Sequence, residues 1–384
     1  MWKSIASNGL TLIIVAMIAL GAAVGWGKAQ YSNAGPLEAP ICVRVTPGSN
    51  MGAVSEDLAE QGAVSSSRIF RIGADYANKA NQLKAGSFLV PRGASMEEIV
   101  DIVTRGGQST CGTEIVYRIG VNRIGVQVRE LDPATNRFVE TVAFTPSDAE
   151  PPAEFVAVRD RSDTRYRVAL AEGVTSWQIV EGLRAVDVMT GDVAAVPPEG
   201  RLAPDSYEVV VGDDRGDLLS QMEAAQTRRL EAAWAARAAD LPYQTPEEAL
   251  VMASIVEKET GVAAERGTVA AVFVNRLNRG MRLQTDPTVI YGITKGQGVL
   301  GRGLRQSELR RATPYNTYVI DGLPPTPIAN PGVASIEAAL NPESSPFLFF
   351  VADGTGGHAF AETLAEHNKN VAKWRAIEAE RNNN

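Results

Sequence analysis

The 24 residues from Ser4 to Gly27 carry no charge, and Leu10 to Trp26 is nearly all apolar. A run of this length is either placed in lipid or cleaved away. As a helix rising 1.5 Å per residue it spans about 36 Å, against about 30 Å for the hydrocarbon core of a bilayer. Trp26 and Tyr31 suit the outer interface, while Lys3 and the amino terminus mark the inner side. The alternative is a cleaved signal peptide with Gly21-Ala22-Ala23 as its cleavage site. The apolar run is long for that, so a retained single-pass anchor is expected. The expected location is the inner (cytoplasmic) membrane, with the bulk of the chain in the periplasm or otherwise outside the cytoplasm.

Composition narrows the chemistry available to the rest. The 384 residues include two cysteines and two histidines, His358 and His367. That excludes a Cys-rich zinc or iron–sulfur scaffold and leaves little for a His-ligated metal site, so neither metal nor cofactor is expected. A net charge of −8 argues against a nucleic-acid partner. Carboxylates, hydroxyls and amides remain as the tools. Cys42 and Cys111 could pair outside the cytoplasm, but neither sits in a signature.

Past a Pro-, Gly- and Ala-rich linker at 29–41, a short pattern occurs three times. Gly48, Val54 and Leu58 share their spacing with Gly93, Ile99 and Val103, and with Gly173, Ile179 and Leu183. The pattern predicts a strand ending in a glycine turn, then a helix with one apolar stripe. Between the second and third copies, Ile124–Leu131 and Arg137–Phe144 alternate around the turn residues 132–136, which predicts a hairpin. Pro146 to Pro152 is acidic and Pro-rich, and residues 214–238 predict a long solvated helix. The expected fold class is α+β. It comprises a transmembrane anchor at 1–28, a LysM-like module at 42–107, a β-rich insertion at 108–165, a second small α+β module with a connecting helix at 166–240, and a C-terminal α+β catalytic domain at 241–384.

The chemistry concentrates in the last segment. Thr245 to Gly261 is strongly marked as a helix: Thr245 as N-cap with Glu248 as its capping-box partner, Pro246 at N1, and Gly261 at C′. Met252, Ile255, Val256 and Glu259 fall on one face, so Glu259 sits in an apolar stripe, with Glu257 well over 90° away. Burial there raises a carboxyl pKa, which a general acid working near neutral pH requires. The bland alternative is a structural ion pair with Arg266, Arg276 or Arg282. Downstream, Gly280 to Gly292 and Thr313 to Tyr318 collect amide, hydroxyl and phenol groups. Gln284, Tyr315 and Asn316 are the neutral polar and aromatic types that sugar sites use.

The order Ala253-Ser-Ile-Val-Glu-Lys-Glu-Thr260, Val272-Phe-Val-Asn-Arg-Leu277, Gly280-Met-Arg-Leu-Gln-Thr-Asp-Pro-Thr-Val-Ile-Tyr-Gly292, Thr313-Pro-Tyr-Asn-Thr-Tyr318 and Gly322-Leu-Pro-Pro325 resembles the endolytic murein transglycosylase family (YceG-like, MltG). The match is close over residues 245–372 and looser over the anchor, the 43–105 module and Pro204-Asp-Ser-Tyr207. The hairpin-rich 113–165 stretch departs from the pattern. The resemblance implies cleavage of the β-1,4 bond between N-acetylmuramic acid and N-acetylglucosamine inside peptidoglycan strands, leaving 1,6-anhydro ends. It implies Glu259 as the catalytic residue and Gln284, Thr285, Asp286, Tyr315 and Asn316 as substrate-binding residues. The implied partner is the peptidoglycan glycan strand; the membrane tether further suggests peptidoglycan synthases as partners. Two other readings stay open: a murein hydrolase using Glu259 with Asp286, and a membrane-anchored, non-catalytic peptidoglycan-binding scaffold.

Overall fold

The computed structural model describes residues 2–105, 109–147, 150–161 and 163–382. The structure mixes helices and strands as expected, with an apolar N-terminal helix. In chain order the elements begin with α1 (Trp2–Ser32), β1 (Ile41–Val45), α2 (Met51–Glu60), α3 (Ser67–Tyr76), β2 (Gly86–Val90), α4 (Met96–Thr104), β3 (Thr113–Ile119), β4 (Ile124–Asp132) and β5 (Arg137–Phe144). They continue with α5 (Ala153–Arg159), β6 (Arg165–Leu170), α6 (Ser176–Arg184), β7 (Ser206–Val209), α7 (Arg215–Ala235) and α8 (Pro246–Glu259). A 3₁₀ turn at Ala263–Glu265 leads to α9 (Arg266–Asn278), α10 (Asp286–Thr294), α11 (Gln306–Leu309), α12 (Val333–Leu340), β8 (Phe349–Ala352), β9 (His358–Ala361) and α13 (Leu364–Asn382).

The chain falls into two compact units: residues 1–116, 127–144 and 148–166, and residues 117–126, 145–147 and 167–384. Strands β3 to β7 form a five-stranded sheet in the order β5-β4-β3-β6-β7. The expected hairpin strands at 124–131 and 137–144 are the neighbours β4 and β5. In their turn, the Asp132 carboxylate accepts the Ala134 N–H at 3.0 Å, and Asn136 is left-handed at φ 52°. Residues 148 and 149 of the Pro-rich stretch, and residues 106–108 around the 107/108 boundary, lie outside the described residues.

The threefold pattern is built as the spacing predicts. Gly48, Gly93 and Gly173 all have positive φ, between 69° and 81°, which a Cβ would strain. Each leads to a helix capped by a side chain (Asn50, Ser95 and Thr175). The paired apolar positions Val54 and Leu58, Ile99 and Val103, and Ile179 and Leu183 are all buried.

In the first unit, β1 and β2 pair antiparallel with Val43 opposite Phe88. Their inner residues join Leu58, Phe70, Ile99 and Val103 in one core. Thr11–Ser32 of α1 is long and apolar enough to cross a membrane, and none of it is buried. The 29–41 segment is not a loose tether. It continues α1 to Ser32, then docks: the Gly35 N–H donates to the Gly93 carbonyl at 3.1 Å, and Leu37 enters the core. Asp163 is buried beside β2. Burial alone would raise its carboxyl, but Arg161, the Ser87 hydroxyl and Arg44 outweigh that and hold it below the usual range.

Cys42 on β1 is bonded to Cys111, with Cα atoms 5.7 Å apart and a sequence separation of 69. Closing a loop of that size restricts the unfolded chain by about 4 kcal/mol in the entropic account. Replacing both cysteines with serine should therefore lower stability by roughly 2–4 kcal/mol in denaturant titrations. Thiol titration of the denatured, unreduced protein should find no free thiol. Two titratable thiols would contradict the pairing.

The second unit has its own core, built around α8, α9 and α12. Met252, Ile255 and Val256 are buried as the stripe predicts, but so is every residue from Ala249 to Val256. Helix α8 is therefore a central helix, buried all round between an exposed first turn at Glu247 and Glu248 and a half-buried last turn. That last turn is where Glu259 emerges.

Candidate active site

Local chemistry fixes both ends of α8. At the start, the Thr245 hydroxyl accepts the Glu248 N–H at 3.2 Å and Glu248 accepts the Thr245 N–H at 3.2 Å, the expected capping box with Pro246 in the first turn. The end differs from expectation. Gly261 is not left-handed; the helix stops because Thr260 turns extended (φ −95°, ψ 105°), while its hydroxyl donates to the Val256 carbonyl at 2.7 Å.

The Glu-Lys-Glu triplet divides its labour around this end. Glu257 accepts the Gly332 N–H at 3.0 Å, and Lys258 donates to the Gly173 carbonyl at 3.3 Å. Both tie down neighbouring backbone. Glu259 instead turns inward, and the Thr285 hydroxyl donates to its carboxylate. Burial pushes the Glu259 carboxyl above its ordinary value, and the negative charge of Asp286 adds to this. The Thr285 bond, His358 and Arg276 pull the other way without cancelling it.

The alternative of a structural ion pair is not seen among the described residues. Arg276 donates to the Leu348 and Leu283 carbonyls, each at 2.6 Å. Arg282 pairs with Asp321 at 2.9 Å, and the Arg266 Nε is buried with no hydrogen-bond partner. Glu259 is thus a largely enclosed carboxyl with one hydroxyl donor and no cation bonded to it.

The strand-like segment before α10 brings three of the expected residues together. Arg276 clamps the Leu283 carbonyl, and the Gln284 N–H donates to the Thr317 carbonyl at 3.1 Å. Held at both sides, Gln284 adopts φ 49°, a left-handed conformation uncommon for a side chain of this kind, and its side chain is exposed. Thr285 is buried. Its N–H donates to the Thr317 hydroxyl at 3.0 Å, which in turn lies 2.9 Å from the Thr288 hydroxyl. Asp286 opens α10, is exposed, and accepts the Tyr318 hydroxyl at 2.6 Å. Burial, with Asp286 beside it, raises the Tyr318 phenol.

Tyr315 and Asn316 have other surroundings. Asn316 is buried. Its amide N–H groups face the Glu308, Leu309 and Arg311 carbonyls at 2.7–3.1 Å, and its oxygen accepts the Tyr318 N–H at 3.0 Å. It holds the loop that carries Thr317 and Tyr318. Tyr315 packs on Tyr291 with ring centres 5.1 Å apart, and its hydroxyl lies 2.8 Å from the Thr326 hydroxyl. The Lys295 ammonium sits 4.9 Å from the Tyr315 ring centre.

Two residues near the site were not assigned by spacing. His358 begins β9, held there because Ala352 and His358 pair across β8 and β9. Glu265 grips it twice, accepting the backbone N–H at 3.0 Å and lying 2.8 Å from the ring Nδ1. Glu199 is a second buried carboxyl in this unit. It accepts the Ser176 N–H at 2.7 Å and the Tyr291 hydroxyl at 3.2 Å, and burial pushes it up to about 6. Glu199 also lines a cavity of about 630 Å³ with Leu250, Leu323 and Pro325, and none of Glu259, Gln284, Thr285 or Asp286 borders that cavity.

A carboxyl whose pKa rises on folding binds more protons in the native than in the unfolded state. Its favourable contribution is present below the unfolded value and is lost as pH rises through the folded value. Glu259→Gln keeps an oxygen for the Thr285 hydroxyl and removes the buried charge. The variant should therefore be more stable than the wild type at pH 7, by roughly 1 kcal/mol, and the gain should shrink toward pH 4. Denaturation curves at both pH values check this.

The chain matches the YceG-like family over residues 43–373, most of its length. It is 27% identical over 340 residues to the endolytic murein transglycosylase of Bacillus subtilis, covering 87% of this chain and 84% of that protein. It is 28% identical over 377 residues to the endolytic murein transglycosylase of Streptococcus pneumoniae, covering 94% of this chain and 64% of that longer protein. A crystal structure of a yceG-like protein from Listeria monocytogenes aligns with a TM-score of 0.47 at 24% identity, covering 86% of this chain and 98% of that one. The chain belongs to the YceG-like family.

Proposed function

We propose that this protein is an endolytic lytic transglycosylase that cuts the β-1,4 bond between N-acetylmuramic acid and N-acetylglucosamine within peptidoglycan strands. The observation that carries the reading is the Glu259 carboxyl, enclosed at the end of α8 with a hydroxyl donor and a raised pKa. Family membership and relatives named endolytic murein transglycosylases support it.

The step balances with one carboxyl group. Glu259, protonated, gives its proton to the glycosidic oxygen as the C1–O4 bond breaks. The resulting carboxylate takes the proton of the muramic C6 hydroxyl as its oxygen bonds to C1. The product is a 1,6-anhydro end, Glu259 is again protonated, and no water is consumed. Thr285 holds the carboxyl in place. Gln284, exposed on its strained turn, is placed to hydrogen-bond sugar amide or hydroxyl groups. Asp286 and Tyr315 present a carboxylate and a ring edge to the substrate, and Asn316 contributes by holding the loop between them. The hydrolase alternative draws on the same neighbourhood, because the charge of Asp286 acts on Glu259. There Asp286 would activate a water, as in paired-carboxylate glycosidases.

The wider architecture supports action close to a membrane. Helix α1 would be a retained single-pass anchor with the bulk of the chain on the periplasmic side. The strand–glycine turn–helix units around 42–107 would be LysM-like and hold glycan. An anchored endolytic enzyme would cut nascent strands near peptidoglycan synthases and so set strand length.

Glu259→Gln should cut murein digestion by the full-length protein at least 100-fold, the low end of what general acid–base catalysis contributes. Undiminished digestion would overturn the mechanism. Because the Thr285 bond lowers the Glu259 pKa, Thr285→Val should move the alkaline limb of the rate–pH profile to higher pH while lowering the maximal rate. An unmoved limb would separate Thr285 from the acid.

A further inference from the structure

The end of helix α1 packs against α3 within the first unit. The Tyr31 ring lies close against Gly73 of α3, where an added Cβ would come within 2.1 Å of it. The Ser65 hydroxyl lies 3.1 Å from the Gln30 side-chain oxygen, and the last turns of α1 also pack on α4. Gly35 and Leu37 then lock the chain to the core. Tyr31 follows Trp26 by five residues, about 7.5 Å along a helix. The headgroup layer on each side of a bilayer is about 5–7 Å thick. A span ending at Trp26 therefore leaves the Gly73 contact of α3 at the outer edge of the headgroup layer.

Helix α3 presents an unusual outer face for such a position. Phe70 and Ala74 are fully buried in the core. Arg68, Ile72 and Tyr76 follow one another at i, i+4 and i+8 on the opposite side, with Ile72 60% and Tyr76 92% exposed. An aliphatic side chain, a phenol and a long cation in one row is the composition that membrane interfaces hold: the apolar parts sink and the polar tips stay hydrated. Asp75 borders the row, so the face is close to neutral and does not call for strongly anionic lipid.

We propose that the Arg68–Ile72–Tyr76 face of α3 docks into the headgroup layer of the same bilayer that α1 spans, seating the first unit on the membrane surface. The proposal rests on the anchor reading of α1. The occupant follows from continuity: the lipid surface begins where α1 leaves it, one helix turn or so from α3.

The test uses the full-length chain in nanodiscs of mixed phosphatidylcholine and phosphatidylglycerol. A bimane label is placed at Leu20→Cys, Ile72→Cys, Tyr76→Cys or Val139→Cys, one at a time, with iodide as aqueous quencher and nitroxide-bearing lipids as membrane quenchers. Val139, also in the first unit and 55% exposed, serves as the reference. Labels at 72 and 76 should be quenched by headgroup-nitroxide lipid and should lose iodide quenching several-fold relative to 139. Iodide quenching equal to that at 139 would place the face in water and overturn the proposal while leaving the anchor intact. Shielding from both quenchers would mean that protein covers the face, and would overturn it too. The label at 20 reports on the anchor separately: no quenching there by acyl-chain nitroxide would remove the anchor reading and the docking with it.

Discussion

A carboxyl group enclosed among packed helices needs a cation or a proton, and Glu259 has neither Arg266, Arg276 nor Arg282 bonded to it. Its hydrogen bond comes from the Thr285 hydroxyl, a neutral donor that can orient the group without neutralising it. Much of the second unit can be understood as the support for that contact. Burial of α8 on all sides fixes the height and rotation of Glu259. Arg276 and Thr317 hold the segment carrying Thr285, and Asn316 holds the loop carrying Thr317. Removing any of these supports would loosen the Glu259 carboxyl without deleting it.

In the Glu-Lys-Glu motif the first two residues are taken up by backbone, which leaves the third as the carboxyl proposed for the chemistry. Glu257 and Lys258 bind backbone at Gly332 and Gly173, so the last turn cannot fray. Thr260 ends the helix in an extended conformation rather than through a left-handed glycine, which directs the chain at once toward the 3₁₀ turn and Glu265. Glu265 then fixes His358. The His358 imidazole is thereby brought near Glu259 from a strand that lies almost 100 residues downstream.

What could be read from sequence was local. The capping box of Thr245 and Glu248, the three left-handed glycines before capped helices, and the strands at 124–131 and 137–144 depend on neighbours in the chain. Glu259 was legible because helix periodicity alone places it with Met252, Ile255 and Val256. The parts that were not legible depend on distant segments. Burial of α8 on every side is imposed by α9 and α12. The left-handed Gln284 has no glycine to announce it, because tertiary hydrogen bonds of Leu283 with Arg276 and of Gln284 with Thr317 enforce it. The side chain of Asn316 suits a sugar site by type, yet the structure fills its hydrogen bonds with loop backbone. The Cys42–Cys111 pairing had no local signature, since the two meet across β2: β1 pairs with β2, and the Cys111 N–H donates to the Ser87 carbonyl of β2.

The central claim is that one carboxyl, with no water-activating partner, suffices for the cleavage. Digestion of intact murein in ¹⁸O-labelled water, followed by mass spectrometry of the new ends, tests it directly. The mechanism predicts anhydromuramic ends, lighter than a reducing end by one water and carrying no ¹⁸O. Reducing ends that have taken up ¹⁸O would contradict it and point to Asp286 and a bound water instead.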